Sequence, residues 1–218
     1  MKTKYSIILI LFFKIISGQN DSTHIYKNQI KISPVRLITA IRGIQISYER
    51  QFSDKFSTQL TANYIVDVLP YHFLNLTKMT GYSLGVEQKY FLNKTENKAG
   101  YLSADFTFLK SNFDMVHSFG YPPIGDSLRN FYSDTIGVNR KTFTFSFKYG
   151  FQYYLKHFVF DVNVGLGLRY RDVTHANKLH RGGDWEKRLE PSAPDELFIN
   201  GQYFTFNIPL GLKIGYIF

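Results

Sequence analysis

The 218-residue chain has no cysteine. That excludes a disulfide framework and a lipid anchor carried on a cysteine at a cleavage site. It has no unbroken run of about 20 apolar residues, the length a helix needs to cross a bilayer. Mean hydropathy is slightly negative at -0.19, so no bundle of transmembrane helices is hidden in it. Tryptophan occurs once. Acids are in the minority, giving a net charge of +9, but the Lys and Arg residues are scattered and no recognition motif accompanies them. Nucleic-acid binding is therefore not expected.

What the chain has instead is 21 Phe and 16 Tyr, residue types that favour strands and membrane interfaces. They are arranged with a period of two. From Gln202 to Phe218, the side chains of Phe204, Phe206, Ile208, Leu210, Leu212, Ile214, Tyr216 and Phe218 alternate with Thr205, Asn207, Pro209, Gly211, Lys213, Gly215 and Ile217. Successive side chains of a strand point to opposite faces, so one face is hydrocarbon throughout. Thr142–Tyr154 puts six aromatics on one face, and Phe158–Arg171 repeats the pattern after a short link.

Similar alternation predicts strands over Asn28–Leu37, Ile44–Phe52, Phe56–Val66, Tyr82–Leu92 and Gly100–Lys110, making eight in all. Pro34 breaks the phase of the first, as expected of an edge strand or bulge. Three links are short: Ser53–Lys55, Asn93–Ala99 and Leu155–His157. Three are long: Asp67–Gly81, Ser111–Lys141 and Asp172–Asn200. Short turns on one side and long loops on the other, with strands near the 9–11 residues a tilted transmembrane strand needs, predict an all-β, eight-stranded antiparallel up-and-down transmembrane barrel.

An eight-stranded barrel has an interior just wide enough for side chains. Six aromatics from one strand and eight apolar residues from another would overfill it, so the greasy faces are expected outside. The opposite faces then line the lumen. They carry Glu49, Glu87, Asp105 and Asp161 with Lys89, Lys148, Arg169, Arg171 and Lys213. Buried charges must be paired, so these nine residues are expected to form a salt-bridged network that fills the lumen and leaves no channel.

Residues 1–18 read as an export signal: Lys2 and Lys4, an apolar stretch over Tyr5–Phe13 interrupted by Lys14, then Ser17-Gly18 before a cleavage point. They carry three of the nine excess positive charges and no acid, leaving +6 on the mature chain. Residues 19–27 would be a short periplasmic segment and 28–218 the barrel. An exported chain starts inside, which places the short links in the periplasm and the long loops outside.

With Gly43–Leu60, Gly81–Leu92, Phe160–Arg171 and the terminal GLKIGYIF, the chain resembles the small OmpA/OmpX-like outer-membrane barrels. It is most similar to the uncharacterised outer-membrane β-barrel families of Bacteroidetes. The resemblance implies an outer-membrane location, contact with outer-membrane lipid and lipopolysaccharide, and insertion by the barrel-assembly machinery. Tyr216 and Phe218 would carry the assembly signal, although Lys213 stands where that signal usually has a glycine. Some such barrels are lipid A-modifying acyl hydrolases or transferases, which draws attention to His117-Ser118. Nothing in the sequence supplies the third, orienting group a nucleophilic site needs. His175, His180, Asp172 and Asp184 match no metal-ligand spacing. No catalytic, metal or cofactor site is therefore expected. The expected role is that of a monomer with a structural or surface-interaction function, with any extracellular ligand met by the outer loops. A lipid-modifying enzyme and a narrow pore are the alternatives.

Overall fold

The computed structural model describes residues 28–37, 43–65, 76–120, 131–175 and 200–218. The strands are β1 (Asn28–Ile32), β2 (Gly43–Gln51), β3 (Phe56–Ile65), β4 (Leu76–Lys94), β5 (Lys98–Gly120), β6 (Phe131–Leu155), β7 (Phe158–His175), β8 (Gly201–Asn207) and β9 (Leu210–Ile217). All pairings are antiparallel; β1 to β7 pair in succession, β7 pairs with both β8 and β9, and β1 also pairs with β9. That closes the sheet into a barrel. β8 and β9 are two halves of one stave, interrupted at Ile208-Pro209, and both pair with β7 in the same register. The interruption follows from proline's missing N–H. Pro209 keeps its carbonyl in use, accepting from the Gly165 amide at 3.0 Å. The barrel therefore has eight staves.

Two other expectations need correction. The first stave does not run to Leu37. It ends at Ile32, and Pro34–Leu37 forms a 3-10 turn, because proline leaves no ladder donor to continue the pairing. The long links are also much shorter than the sequence indicates, since β4 starts at Leu76, β5 reaches Gly120, β6 starts at Phe131 and β7 reaches His175. His117 and Ser118 thus sit on a strand, their backbones in register with Asp134 and Ser133, rather than in a loop. The tight connections gather at one end, where Asn28 and Phe218 also meet through reciprocal amide–carbonyl bonds of 3.2 and 3.0 Å. Residues 1–27, read above as signal and linker, lie outside the described residues.

The barrel is apolar outside and polar inside along its middle. The β6 aromatics Phe143, Phe145, Phe147, Tyr149, Phe151 and Tyr153 are all exposed, while Ser57, Gln59, Glu49, Glu87, Lys89, Gln152 and Asp161 are buried. This reverses the arrangement of a water-soluble barrel and suits a wall facing acyl chains. Above the band the pattern inverts along continuous strands, whereas below it both faces are apolar. At the loop end Ile65, Met79, Phe113, Met115, Ile136, Val138 and Val173 turn inward as one buried apolar cluster. At the turn end Phe91, Ala99, Tyr101, Tyr154, Val159 and Ile217 form another. Lys110 and Lys141, directly opposite each other on β5 and β6, are outward and exposed at the upper switch. The band therefore ends above in one inversion of hydrophobic phase, and the portion beyond it is built like a soluble barrel.

Placing a charge in that band should reveal its solvent. Phe147→Arg, near mid-band, is expected to destabilise the barrel in lipid vesicles by about 2–4 kcal/mol, measured by denaturant titration. An effect within about 0.5 kcal/mol, ordinary for a water-facing surface, would show that the wall does not face hydrocarbon.

Candidate functional site

The lumen collects the chain's charged side chains into tiers. Lowest is a box of two acids and two lysines. The Lys31 ammonium lies 2.5 Å from Glu49 Oε2 and 2.6 Å from Asp161 Oδ2. Lys89 lies 2.8 Å from the same Glu49 oxygen and 2.6 Å from the same Asp161 oxygen. All four side chains are fully buried. Neutral hydrogen-bonders complete their shells. Ser57 donates to Glu49 at 2.7 Å, Tyr101 to Asp161 at 2.5 Å, and Gln152 to both acids at 3.1–3.3 Å. Lys89 also faces the Tyr101 ring, 4.4 Å from its centroid. The box is neutral as a unit, which is what makes its burial tolerable.

Two glycines make room for it. Gly150 stands directly across from Tyr101, and any Cβ there would run into the phenol ring. Gly215 stands across from Lys31, whose Cγ would be 2.6 Å from an added Cβ.

The next tier centres on Glu87, which meets Lys213 at 3.2 Å and Lys148 at 3.5 Å. Lys148 also reaches Asp105 at 3.1 Å. Glu87 and Asp105 are direct cross-strand neighbours, and the lysine between them offsets the repulsion expected of like charges so placed. Ser103 and Gln59 donate to the remaining Glu87 acceptors at 2.7 and 3.1 Å.

Of the nine lumen residues expected from the sequence, seven belong to these two tiers: Glu49, Glu87, Lys89, Asp105, Lys148, Asp161 and Lys213. Arg169 does not pair with the carboxylates; it donates instead to Asn207 Oδ1. Arg169 and Arg171 lie toward the loop end with Arg36 and Arg140, around a cavity of about 130 Å³ whose wall contains no carboxylate among the described residues. A second cavity, of about 260 Å³, shares Arg36, Ser83, Thr107, Thr144 and Arg169 with the first and extends to Lys148, Asp105 and Lys213. The expectation that Arg169 pairs with the carboxylates fails among the described residues: Glu49, Glu87 and Asp161 sit lower in the lumen, and Asp105, which lines the larger cavity with Arg169, is held by Lys148. Lys31, the central cation of the box, was missed. Its signal is present in the sequence: Ile30 and Ile32 face out, so the residue between them must face in.

Tyr216 and Phe218 are exposed on the outer face at the turn end. The Tyr216 ring stacks on His157, with centroids 5.7 Å apart, and meets Phe158 edge-on. Of the histidine group considered above, His175 closes β7, and His180 and Asp184 lie outside the described residues.

Comparison with known proteins was made at three levels. No family model matches the chain, and no curated protein matches it. The solved structures that are similar include two outer-membrane proteins. One is the N-terminal β-barrel domain of Pseudomonas aeruginosa OprF, at 13% identity and TM-score 0.36, covering 88% of this chain and 97% of that one. The other is a major outer membrane protein from Thermus thermophilus, at 12% identity and TM-score 0.37, covering 89% and 100%. The barrel described here rests on the chain's own strand pairing, not on these likenesses.

Two outcomes are expected of the box. Asp161→Ala leaves two lysines against one acid and should cost about 3–5 kcal/mol, the range for breaking a buried pair. Adding Lys31→Met restores neutrality and should recover a substantial part, read by unfolding of the four members of the double-mutant cycle. Strict additivity would mean the four groups do not act together. Gly150→Val should lower stability by about 1–3 kcal/mol through overpacking against Tyr101, and Tyr101→Ala in the same chain should relieve the clash.

Proposed function

We propose that this chain is a monomeric outer-membrane β-barrel protein of a Gram-negative cell, non-catalytic, with a structural or surface-interaction role. Its specificity resides in the segments joining the staves at the loop end. The observation that carries this reading is the inverted barrel: hydrocarbon outside, and inside a lumen stopped by a neutral, fully buried ion box. Apolar clusters above and below the charged tiers argue further against a route for ions or water. The reading includes cleavage of residues 1–18, insertion by the barrel-assembly machinery through the Tyr216–Phe218 end, and lipid and lipopolysaccharide around the band. The family resemblance to the Bacteroidetes barrels belongs to this proposal as well.

Three measurements test it together. The mature chain should fractionate with the outer membrane, migrate differently on gels before and after heating, and give a flat current trace in planar bilayers. Discrete conductance steps would support the pore instead. For the enzymatic alternative, alanine at His117 and Ser118 should leave the lipid A mass spectrum of the cell unchanged. A shift in that spectrum would overturn the non-catalytic reading.

A further inference from the structure

The basic residues of the lumen are sorted by type. Every cation in contact with a lumen carboxylate in the two lower tiers is a lysine: Lys31, Lys89, Lys148 and Lys213. These four lysines match the four acids Glu49, Glu87, Asp105 and Asp161 one for one. The four basic residues around the upper cavity are all arginines, and no carboxylate among the described residues lines it. Arg140 is buried, and its Nη2 has no hydrogen-bond partner. Its Nε donates to Ser111 at 3.2 Å, and its guanidinium lies 5.4 Å from the Phe113 ring centroid. A buried guanidinium nitrogen without a partner is costly. Arginine's planar fork suits phosphate oxygens, which it binds in bidentate fashion.

The larger cavity, which shares Arg36 and Arg169 with the smaller, also reaches the outer face of the wall. The β1–β9 pairing stops at Ile32 and Ile214. Ser33 then turns the chain inward, donating through its hydroxyl to Leu212 O at 3.0 Å, and leads into the Pro34–Leu37 turn. Above that point, among the described residues, the eighth stave pairs only with β7. Its outward side chains show the difference: Phe204, Phe206, Ile208 and Leu210 are 67–89% exposed, against 38–64% for the six aromatics of β6. The larger cavity is walled here by Val35 on one side and by Ile208, Pro209 and Leu210 on the other. A polar cavity whose inner side carries Arg36, Arg169, Lys148 and Lys213 against one carboxylate, Asp105, and whose mouth is made of bilayer-facing residues fits one kind of molecule, a charged head on an apolar tail.

From this juxtaposition we propose that the seam between the Pro34–Leu37 turn and the β8–β9 stave is a lipid-binding site. An anionic phospholipid places its phosphate at Arg169 and Arg140 and lays its acyl chains along Phe204, Phe206, Ile208 and Leu210. Arg36 lines both cavities and Arg171 the smaller one, while Ser83, Thr107 and Thr144 supply hydroxyls to both. The site rests on the membrane location proposed above.

The test uses the mature chain folded in dodecyl maltoside micelles, with native mass spectrometry after adding phosphatidylglycerol, phosphatidylcholine or inorganic phosphate. One phosphatidylglycerol should remain bound per barrel. Arg169→Gln and Arg140→Gln should each weaken it about tenfold, equivalent to about 1.4 kcal/mol, and Lys110→Gln at the outer rim should not. Retention unaffected by the arginine variants overturns the site, as does binding of inorganic phosphate with no preference for the lipid. If those variants fail to fold, a bimane attached at Ile208→Cys provides a second measurement, since the chain has no other cysteine. Spin-labelled phosphatidylglycerol should quench it saturably, and the unlabelled lipid should compete. Quenching that rises linearly with lipid would overturn the proposal. A chain that is soluble without detergent refutes the membrane reading itself, whereas a folded, heat-modifiable barrel without saturable lipid refutes only the site.

Discussion

The structure depends on neutralising charge inside a cylinder too narrow to keep those charges hydrated. Glu49, Asp161, Lys31 and Lys89 come from β2, β7, β1 and β4, so the box ties together staves far apart in sequence. Each carboxylate oxygen at its centre is shared by two ammonium groups. Because a lone buried charge is far more costly than a compensated one, these contacts favour all four staves being in their correct register at once. A slip by one residue would send every lumen side chain to the lipid face. The box therefore selects the register as well as contributing to stability, and the hydrocarbon band outside selects it from the other side.

The second organising feature is the change of hydrophobic phase along single strands. β6 keeps one continuous backbone from Phe131 to Leu155, yet Ile136 and Val138 point in while Phe143 and its successors point out. Neither choice reflects local propensity, since both segments are rich in strand formers. It reflects the solvent each segment meets. Where acyl chains surround the wall, apolar side chains belong outside. Where the barrel rises beyond them, only the interior is dry. The stave is much longer than the 9–11 residues a bilayer requires, and the surplus is an apolar-cored extension capping the polar lumen.

That change of phase explains what was and was not legible in the sequence. Within the band the alternation alone assigned faces correctly, and with them the inward Glu49, Glu87, Lys89, Asp105, Lys148, Asp161 and Lys213. Past Leu109 the alternation loses its phase, and a reading that treats loss of phase as the end of a strand stops β5 at Lys110, ten residues short of its end. The same habit hid the apolar clusters at both ends, because Phe113, Met115 and Val138 look misplaced beside an outward-greasy pattern. Lys31 escaped for another reason: a five-residue strand followed by proline offers little repetition from which to fix a face. The separation of Arg169 and Arg171 from the acids depends on height along the barrel axis. Strand stagger sets that height, and alternation carries no information about it.

Stagger also gives the sorting of lysine from arginine a physical sense. In the lowest tier each cation is fully buried among carboxylates and hydrogen-bonding side chains, and a compact ammonium on a flexible stem can place three donors in such a box. Around the upper cavity there is room, and no carboxylate among the described residues in the wall. A guanidinium there holds its charge in any surroundings and keeps a planar row of donors facing the opening. The four acids of the lower tiers are already met by four lysines, so the arginines above are not needed to neutralise them. Their position beside the stretch where the first stave turns inward and the eighth is broken by Pro209 joins the arginine cluster to the irregular part of the wall. The two departures from an ideal barrel thus occur in the same place, and a single bound amphiphile would answer to both.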